Sequence, residues 1–264
     1  MLGEMEPSFG GAMAEYIIEA FTNRAHETIR KWVLDAVALW AHDGFSRFDD
    51  QETSCTARLY HYCDRLRSER RGAYLLFNLE YDAPVLTADM REGRQHPKFA
   101  RKPDISVVID QTRIHLEAKL LKPRPLSGLP RQYVEEGMMR FIDGFYPIAV
   151  GYEGMMIAYV LEESTPENFE AVNTNISTNL RLGPRNTVTL SERIDDVVDL
   201  YVSNHSTCSL LHVGIDLTTR CPSWTTMLAQ EVIPHQTDRR KPLGDSAAID
   251  GEHQREAETS LADG

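Results

Sequence analysis

The sequence lacks the cysteine patterns and the long apolar runs that mark several protein classes. Its cysteines form neither a Cys-x-x-Cys pair nor a zinc-type Cys/His spacing; they are Cys55, Cys63, Cys208 and Cys221. We therefore expect neither a structural zinc nor a disulfide framework. No apolar run reaches the ~18 residues of a membrane span. The opening MLGEMEPSFGGAM is acidic where a signal peptide would be basic, so a cytoplasmic protein without a membrane partner is expected.

Two common catalytic motifs are also absent. The stretch GMMRFIDGFYPIAVGYEG contains glycines, but it does not have the strand–GxGxxG–helix context of a nucleotide-binding loop. No GxSxG motif, which would present a nucleophilic serine, occurs in the chain. These absences argue against a dinucleotide-binding enzyme and against a serine hydrolase.

Charge is distributed unevenly along the chain. The formal net charge is −12, which argues against a simple nucleic-acid binder, because such proteins are usually basic. Residues 91–140 nevertheless hold 11 lysines and arginines against 6 acids, a local charge of +5. A positive field around an acidic cluster suits a phosphodiester-binding site. A solvated basic loop would account for the same residues without any function.

Hydrophobic periodicity and turn residues predict helices first, then strands and helices in alternation. The predicted helices are 14–41, 50–71, 131–144, 165–182 and 222–232; the predicted strands are 73–81, 84–88, a hairpin over 104–121, 147–152, 155–161, 186–190 and 209–217. This order predicts an α/β fold with a mixed central β-sheet flanked by helices. We assign 1–45 to an N-terminal helix on the core, 46–235 to the α/β domain and the polar residues 236–264 to a disordered tail.

The hairpin RKPDISVVIDQTRIHLEAKLL, residues 101–121, carries charged residues where an ordinary strand needs none. Alternate residues of a strand point to opposite faces, so Glu117 and Lys119 share a face. Asp104 opens the neighbouring strand, where its carboxylate can lie beside that of Glu117. Two such carboxylates raise each other's pKa unless a cation lies between them. Mg²⁺ or Mn²⁺ suits the pair, since a hard ion prefers oxygen ligands and can activate water near a phosphoryl group.

Pro103-Asp104, twelve intervening residues and Glu117-Ala118-Lys119 resemble the signature of the PD-(D/E)XK nuclease superfamily. The resemblance covers roughly residues 50–161. It implies a restriction-endonuclease-like core and metal-dependent hydrolysis of phosphodiester bonds. Asp104 and Glu117 would be metal ligands, the carbonyl of Ala118 a further ligand, and Lys119 the catalytic lysine. Small nucleases of this kind look like those of bacterial restriction and phage-defence systems.

The superfamily often adds a glutamate from a preceding helix, and Glu52 fits that role as a metal ligand. It precedes Cys55 by three residues and Leu59 by seven, so it shares their apolar helix face. An ionised side chain on a buried face needs a reason, and a metal would supply one. Two alternatives stay open. Glu52 can simply favour the dipole of the first helical turn, and Glu80 is a second candidate for the same role.

Polar residues on the helix after the core strands commonly face the phosphate in this superfamily. The candidate nucleic-acid-binding or supporting residues are Gln132, Tyr133 and Arg140 on that helix, with Arg101 and Lys102 before the hairpin. Gln132 lies near a helix start, where backbone N–H groups favour anions. Packing, or pairing with Glu136, would explain Tyr133 and Arg140 equally well. His115 shares the face of Glu117, but a lone histidine there is more often hydrogen-bonded than functional.

Three functions are compatible with these residues. The first is a metal-dependent nuclease, with DNA the favoured substrate; the second is an RNA-directed nuclease with the same chemistry. The third is a non-catalytic assembly or recruitment subunit, in which the charged residues form a salt-bridged cluster. The acidic net charge suggests that a partner subunit or a homo-oligomer helps to hold the nucleic acid.

Overall fold

The structure is a computed structural model that describes the greater part of the chain. The described residues are 9–69, 74, 77–96, 98, 100–109, 112–122, 128–149 and 152–218, with side chains from residue 24 onward. The predicted helix at 222–232 and the predicted tail at 236–264 lie outside these residues.

Seven strands of the described residues form one mixed β-sheet, and helices flank it, as the sequence predicts. The strands are β1 (Asn78–Tyr81), β2 (Ile105–Ile109), β3 (Thr112–Leu121), β4 (Gly154–Val160), β5 (Thr189–Arg193), β6 (Val198–Asn204) and β7 (Ser209–Asp216). Their order in the sheet is β1-β2-β3-β4-β7-β6-β5. The β3–β4 and β4–β7 pairs are parallel, and the other neighbours are antiparallel.

The helices divide between the two layers that cover the sheet. They are α1 (Phe9–His42), α2 (Glu52–Glu69), α3 (Ala88–Arg91), α4 (Leu129–Gln132), α5 (Met139–Ile142) and α6 (Thr165–Thr178). A π-helical segment, Tyr133–Met138, joins α4 to α5. Ser164 caps α6 by accepting a hydrogen bond from the N–H of Glu167, whose carboxylate bonds back in a capping box.

Two apolar clusters, one on each face of the sheet, form the core. Trp32 and Trp40 of α1 and Leu59 of α2 are fully buried against one face. Tyr133 of the π segment and Phe169 of α6 are buried against the other. The sheet is therefore covered on both sides along β3 and β4, and a charged side chain on these strands needs a partner.

Three of the predicted strands are wrong or shifted. Only Val85 of the 84–88 stretch pairs, in an isolated bridge to Arg101, because Thr87 caps the short helix α3. Residues 147–149 form no strand; Pro147 has no N–H to donate to a ladder. The strand predicted at 186–190 starts at Thr189, after a 3₁₀ turn at Pro184–Asn186.

The boundaries of other elements also differ from the prediction. The strand predicted at 73–81 is seen from Asn78 to Tyr81; residues 70–73 and 75–76 lie outside the described part. The helix predicted at 165–182 ends at Thr178, before Asn179 turns to an extended conformation. The periodicity analysis missed β6 altogether. Its residues are mostly buried, so the run VDLYVSN alternates weakly and gives little strand signal.

Candidate active site

The candidate site is built at the end of β3 that extends past its neighbour β2. The β2–β3 pairing ends at Ile105 opposite Leu116. Beyond that pair, a carboxylate oxygen of Asp104 accepts the N–H of Ala118 at 2.7 Å. An oxygen of Glu52, the first residue of α2, accepts the N–H of Leu120 at the longer distance of 3.4 Å. Two carboxylates thus bond amides two residues apart on β3 and are fixed by the main chain.

Glu117 lies between these two acids and is completely buried. Continuing the register by one pair places Asp104 directly opposite Glu117, so both side chains leave the same face of the sheet. One oxygen of Glu117, Oε2, is buried and has no hydrogen-bond partner among the described residues. A buried carboxylate oxygen without a partner is costly in a folded protein and indicates a missing ligand or ion.

Lys119 connects the acids of the site. Its ammonium Nζ donates to Oε1 of Glu117 at 2.8 Å and to Oε1 of Glu52 at 2.8 Å. A third bond of 2.7 Å reaches the carbonyl of Ala118. Lys119 is only 7% exposed, so these three acceptors replace the water that a surface lysine would bind. The predicted set of Glu52, Asp104, Glu117 and Lys119 is therefore brought together by the fold.

The pKa values of Asp104 and Lys119 are both raised, with different consequences for the charge of each side chain. Burial and the charge of Glu117 raise the pKa of Asp104 to about 7, although Lys119 and the Ala118 amide oppose this rise. For Lys119, burial disfavours the charged form, but the carboxylates of Glu117, Glu52 and Asp104 outweigh it and raise the pKa. Lys119 is consequently a cation at neutral pH, whereas Asp104 is poised to gain or lose a proton there.

Arg140 of α5 is a second cation in the site. Its guanidinium forms an ion pair with Oε1 of Glu117. The same nitrogen donates to the hydroxyl of Tyr146 at 3.0 Å, and that hydroxyl donates to the carbonyl of Lys102 at 2.9 Å. Tyr146 therefore ties the helix that carries Arg140 to the segment that leads into Asp104. The sequence analysis missed Tyr146, because its place in GFYP, after a helix-ending glycine, is typical of an ordinary loop.

The remaining predicted supporting residues lie at varying distances from the acids. Tyr133 is fully buried and its hydroxyl bonds Nδ1 of His212 at 2.8 Å, so the fold brings it to β7 and not to the carboxylates. Gln132 is half-buried at the end of α4, where its N–H bonds the carbonyl of Gly128. Lys102 is exposed and its ammonium donates to Asp82 at 3.1 Å. Arg101 is exposed over the ring of Phe145, outside the carboxylate cluster.

Two alternative site residues have other partners. Glu80, on β1, pairs with Arg113 of β3 at 2.9 Å, which accounts for its charge. His115 is buried, and its Nδ1 lies 3.0 Å from the hydroxyl of Ser106. Burial and the nearby charge of Arg113 lower the pKa of His115 to about 4, so it is neutral at physiological pH. His115 lies two pairs of the ladder away from Glu117, on the same face of β3.

The π-helical segment lies directly over the lysine. At Gly137, an added Cβ would lie 2.5 Å from the methyl of Met156 and 3.5 Å from Cγ of Lys119. A larger residue here would contact the stem of Lys119 and would have to displace the end of the Met156 side chain. π turns of this kind are rare and occur frequently at functional sites. The segment therefore packs against the stem of Lys119, whose ammonium bonds the two glutamates.

The oxygen atoms of this site suit a hard divalent cation. Oε2 of Glu117 is buried without a described partner, and Asp104 faces Glu117 with a raised pKa that a cation would lower. Asp104, Glu117 and the carbonyl of Ala118 would hold such an ion, as the sequence predicts. Glu52 would contribute through the oxygen that bonds Leu120. No three histidine, cysteine or acid side chains of the described residues are grouped closely enough to form a ready-made metal site.

Three comparisons with known proteins found no match: no family model, no curated protein and no solved structure matches the chain. Across the described residues, no helix combines the length and the apolar character that a membrane crossing requires.

Proposed function

We propose that the protein is a metal-dependent nuclease that hydrolyses phosphodiester bonds. The observation that carries the proposal is the position of Lys119, whose ammonium lies 2.8 Å from both Glu52 and Glu117. Beside it lies the buried Oε2 of Glu117, which has no hydrogen-bond partner in the described part of the chain. A structural ion pair needs one acid for each base, whereas this site gathers three acids around two cations, Lys119 and Arg140. Two of these acids are bonded to main-chain amides, which supports a preorganised site.

The order of the elements supports the same proposal. The helix α2 is followed by three antiparallel strands (β1, β2 and β3), with the short helix α3 between the first two. A helical segment (α4 to α5) and a parallel strand (β4) come next. This order is what a restriction-endonuclease-like core requires. The acids and the lysine come from the first helix and from the second and third of these strands, where the superfamily resemblance assigns them.

The residues of the chain have separate roles in this proposal. Asp104, Glu117 and the carbonyl of Ala118 would hold Mg²⁺ or Mn²⁺, and Glu52 would complete the set. When bound, the ion supplies an activated water and a clamp on a phosphoryl oxygen. Lys119, kept charged by its carboxylates, stabilises negative charge that develops on the phosphate. Its raised pKa argues against the alternative in which Lys119 removes a proton from water.

A direct test compares cleavage by the wild type with cleavage by two lysine variants. Plasmid DNA and RNA are incubated with the protein in Mg²⁺, in Mn²⁺ and in EDTA. We expect metal-dependent cutting that Lys119→Ala reduces by at least ~100-fold, the order of a lost charge-stabilising group. Lys31→Ala is the matched control, since Lys31 is an exposed lysine of α1 paired with Asp35. Cutting that survives in Lys119→Ala or in EDTA would contradict the proposal.

Metal binding can be tested without catalysis. An ion that binds only the folded state raises the melting temperature with its concentration. We expect Mg²⁺ or Mn²⁺ to stabilise the wild type and to stabilise Glu117→Gln much less. If the metal stabilises the protein but no cleavage occurs, the absence of cleavage would indicate that a partner is missing. The acidic net charge already suggests such a partner. If the isolated chain cuts efficiently at physiological salt, no partner is required.

A non-catalytic recruitment subunit is the second candidate, and one observation favours it. Lys119 and Arg140 both pair with Glu117, so much of the acidic charge is already neutralised inside the protein. Such a cluster would stabilise a scaffold without any metal. Unchanged melting temperatures in the presence of Mg²⁺ and Mn²⁺, together with no cleavage of DNA or RNA, would favour this function.

A further inference from the structure

A groove of about 660 Å³ lies beside the proposed active site. The apolar residues that line it include Val85, Ala100 and the buried Met90. Phe145 also lines the groove, and the guanidinium carbon of Arg101 lies 5.1 Å from the centroid of the Phe145 ring. The volume falls within the roughly 300–1,000 Å³ of sites that hold small organic groups. The groove can therefore accommodate a group of that size.

The groove is positively charged although the chain is acidic. Lys98 and Arg101 line it, and none of the described lining residues is an acid. On the neighbouring helix and turn, Asp89 and Glu92 are both paired with Arg94. The local field therefore favours an anionic ligand in a protein of net charge −12.

Besides its positive charge, the groove has a flat apolar surface, the ring of Phe145. The ring is 48% exposed even with Arg101 lying over it. Arginine and phenylalanine both stack on the faces of nucleobases, and they do so with little preference for the base. An anion with an aromatic face matches the groove better than an inorganic anion, which would leave Phe145 exposed. A nucleotide has both properties.

Two residues that line the groove, Arg101 and Phe145, are close in sequence to residues of the active site. Arg101 precedes Asp104 by three residues, a separation of at most ~10 Å along an extended chain. Phe145 precedes Tyr146, whose hydroxyl connects the carbonyl of Lys102 to Arg140. A nucleic-acid strand whose phosphate lies at the acids can therefore also reach the groove.

We propose that this groove binds an unpaired nucleotide of the substrate strand, with its base stacked on Phe145 and its phosphate paired with Arg101. The inference rests on the proposed nuclease function and specifies the substrate class. A base inside a duplex has both faces covered by its neighbours and cannot stack on a protein ring unless it is extruded. The substrate is therefore single-stranded nucleic acid, or a single-stranded segment beside a duplex.

The test measures binding without cleavage. Fluorescently labelled single-stranded DNA, single-stranded RNA and duplex DNA of equal length are titrated with the full chain in EDTA, and anisotropy gives each Kd. We expect single strands to bind more tightly than the duplex, and the DNA and RNA arms to identify the preferred sugar. Phe145→Ala should weaken single-strand binding about tenfold, within the range measured for loss of one stacked base.

The control variants separate the groove from general effects. Phe145→Trp should retain binding, since it keeps a stacking surface. Arg101→Ala should weaken binding and reduce its salt dependence, whereas Arg185→Ala should leave binding unchanged. Arg185 is an exposed arginine on the 3₁₀ turn that precedes β5. Leu190→Ala removes an exposed apolar side chain from β5, at the sheet edge opposite β1, and should also leave binding unchanged.

Failure of the groove and failure of the nuclease proposal give different results. Unchanged binding in Phe145→Ala, or equal binding of duplex and single strands, would overturn the groove proposal. Competition by a free mononucleotide at the same concentration as the strand would also overturn it, since the groove would then hold a free nucleotide and not one nucleotide of a strand. Binding that depends on Phe145, in a protein that neither cuts nucleic acid nor is stabilised by Mg²⁺ or Mn²⁺, would support the groove and overturn only the catalytic proposal.

Discussion

The carboxylate of Asp104 accepts the main-chain N–H of Ala118 at 2.7 Å. This bond forms where the ladder between β2 and β3 has ended, so a side chain takes over from the neighbouring strand. The acid is held by the same backbone that carries Glu117 and Lys119. Its position relative to both is therefore set by the sheet and not by the freedom of a surface rotamer. The consequences of this fixed geometry can be measured.

Removing Lys119 should destabilise the fold as well as the activity. Among the residues that the structure describes, Lys119→Ala leaves the buried Glu117 with only Arg140 as a cationic partner. Loss of one partner from a buried ion pair costs about 3–5 kcal/mol, so we expect urea denaturation to give a free energy of unfolding lower by about 3 kcal/mol. The double variant Lys119→Ala/Glu117→Gln should regain part of this loss, because it no longer buries an uncompensated charge. Equal stability of the single and double variants would contradict the prediction.

Asp104 should make the stability of the metal-free protein fall as the pH rises. Its pKa is about 7 in the folded chain, whereas the ordinary pKa of an aspartate is 3.8. Between pH 4 and 7 the folded state therefore holds a proton that the unfolded chain has released, and the free energy of unfolding decreases with pH across this window. Asp104→Asn keeps an acceptor for the Ala118 amide and removes the titration.

The variant and the wild type are best compared by subtraction. The unfolding free energy of the wild type minus that of Asp104→Asn should fall from pH 4 to pH 7 and stay constant above pH 7. Contributions from His115, whose pKa is lowered to about 4 by burial and by Arg113, act in the opposite direction and cancel in the difference. A difference that does not change with pH would show that Asp104 is ionised throughout this range.

Tyr146→Phe tests the connection between Arg140 and the segment before Asp104. The substitution keeps the ring and removes one hydroxyl that accepts from Arg140 and donates to the carbonyl of Lys102. We expect a loss of about 1 kcal/mol in unfolding free energy, the usual contribution of one hydrogen bond. Cleavage should fall several-fold, since Arg140 becomes less constrained. Tyr152→Phe, on a half-buried tyrosine before β4, is the matched control and should change neither quantity.

Gly137→Val tests the close approach of the π segment to the lysine. An added side chain would meet the methyl of Met156 at 2.5 Å and the stem of Lys119 at 3.5 Å. Overpacking of this kind costs about 1–3 kcal/mol. Met156→Ala opens the space, so the cost of Gly137→Val should be smaller in that background than in the wild type. Additive effects of the two substitutions would show that they do not share the space.

The central residues of the site were predictable because they are close in sequence. Asp104, Glu117 and Lys119 belong to one hairpin, and strand alternation alone places two of them on one face. Glu52 was predictable from its position on an apolar helix face. Tyr146 and the π segment were not, since neither the sequence GFYP nor the helical periodicity of 131–144 carries a local signal for them. The strand β6 was missed because it is buried on both faces and alternates weakly.

The sequence by itself determined the α/β class, the hairpin, the acid and lysine set and the positive local charge. These depend on short-range periodicity and on the types of neighbouring residues. Only the tertiary structure decided which acids the lysine bonds, that Arg140 neutralises Glu117, that Tyr133 faces His212 and that an exposed phenylalanine lines a positive groove. Apart from the bond between Lys119 and its near neighbour Glu117, the hydrogen bonds among these contacts join residues from 23 to 79 positions apart. Their energies depend on burial and on the approach of separate elements, which no local pattern encodes.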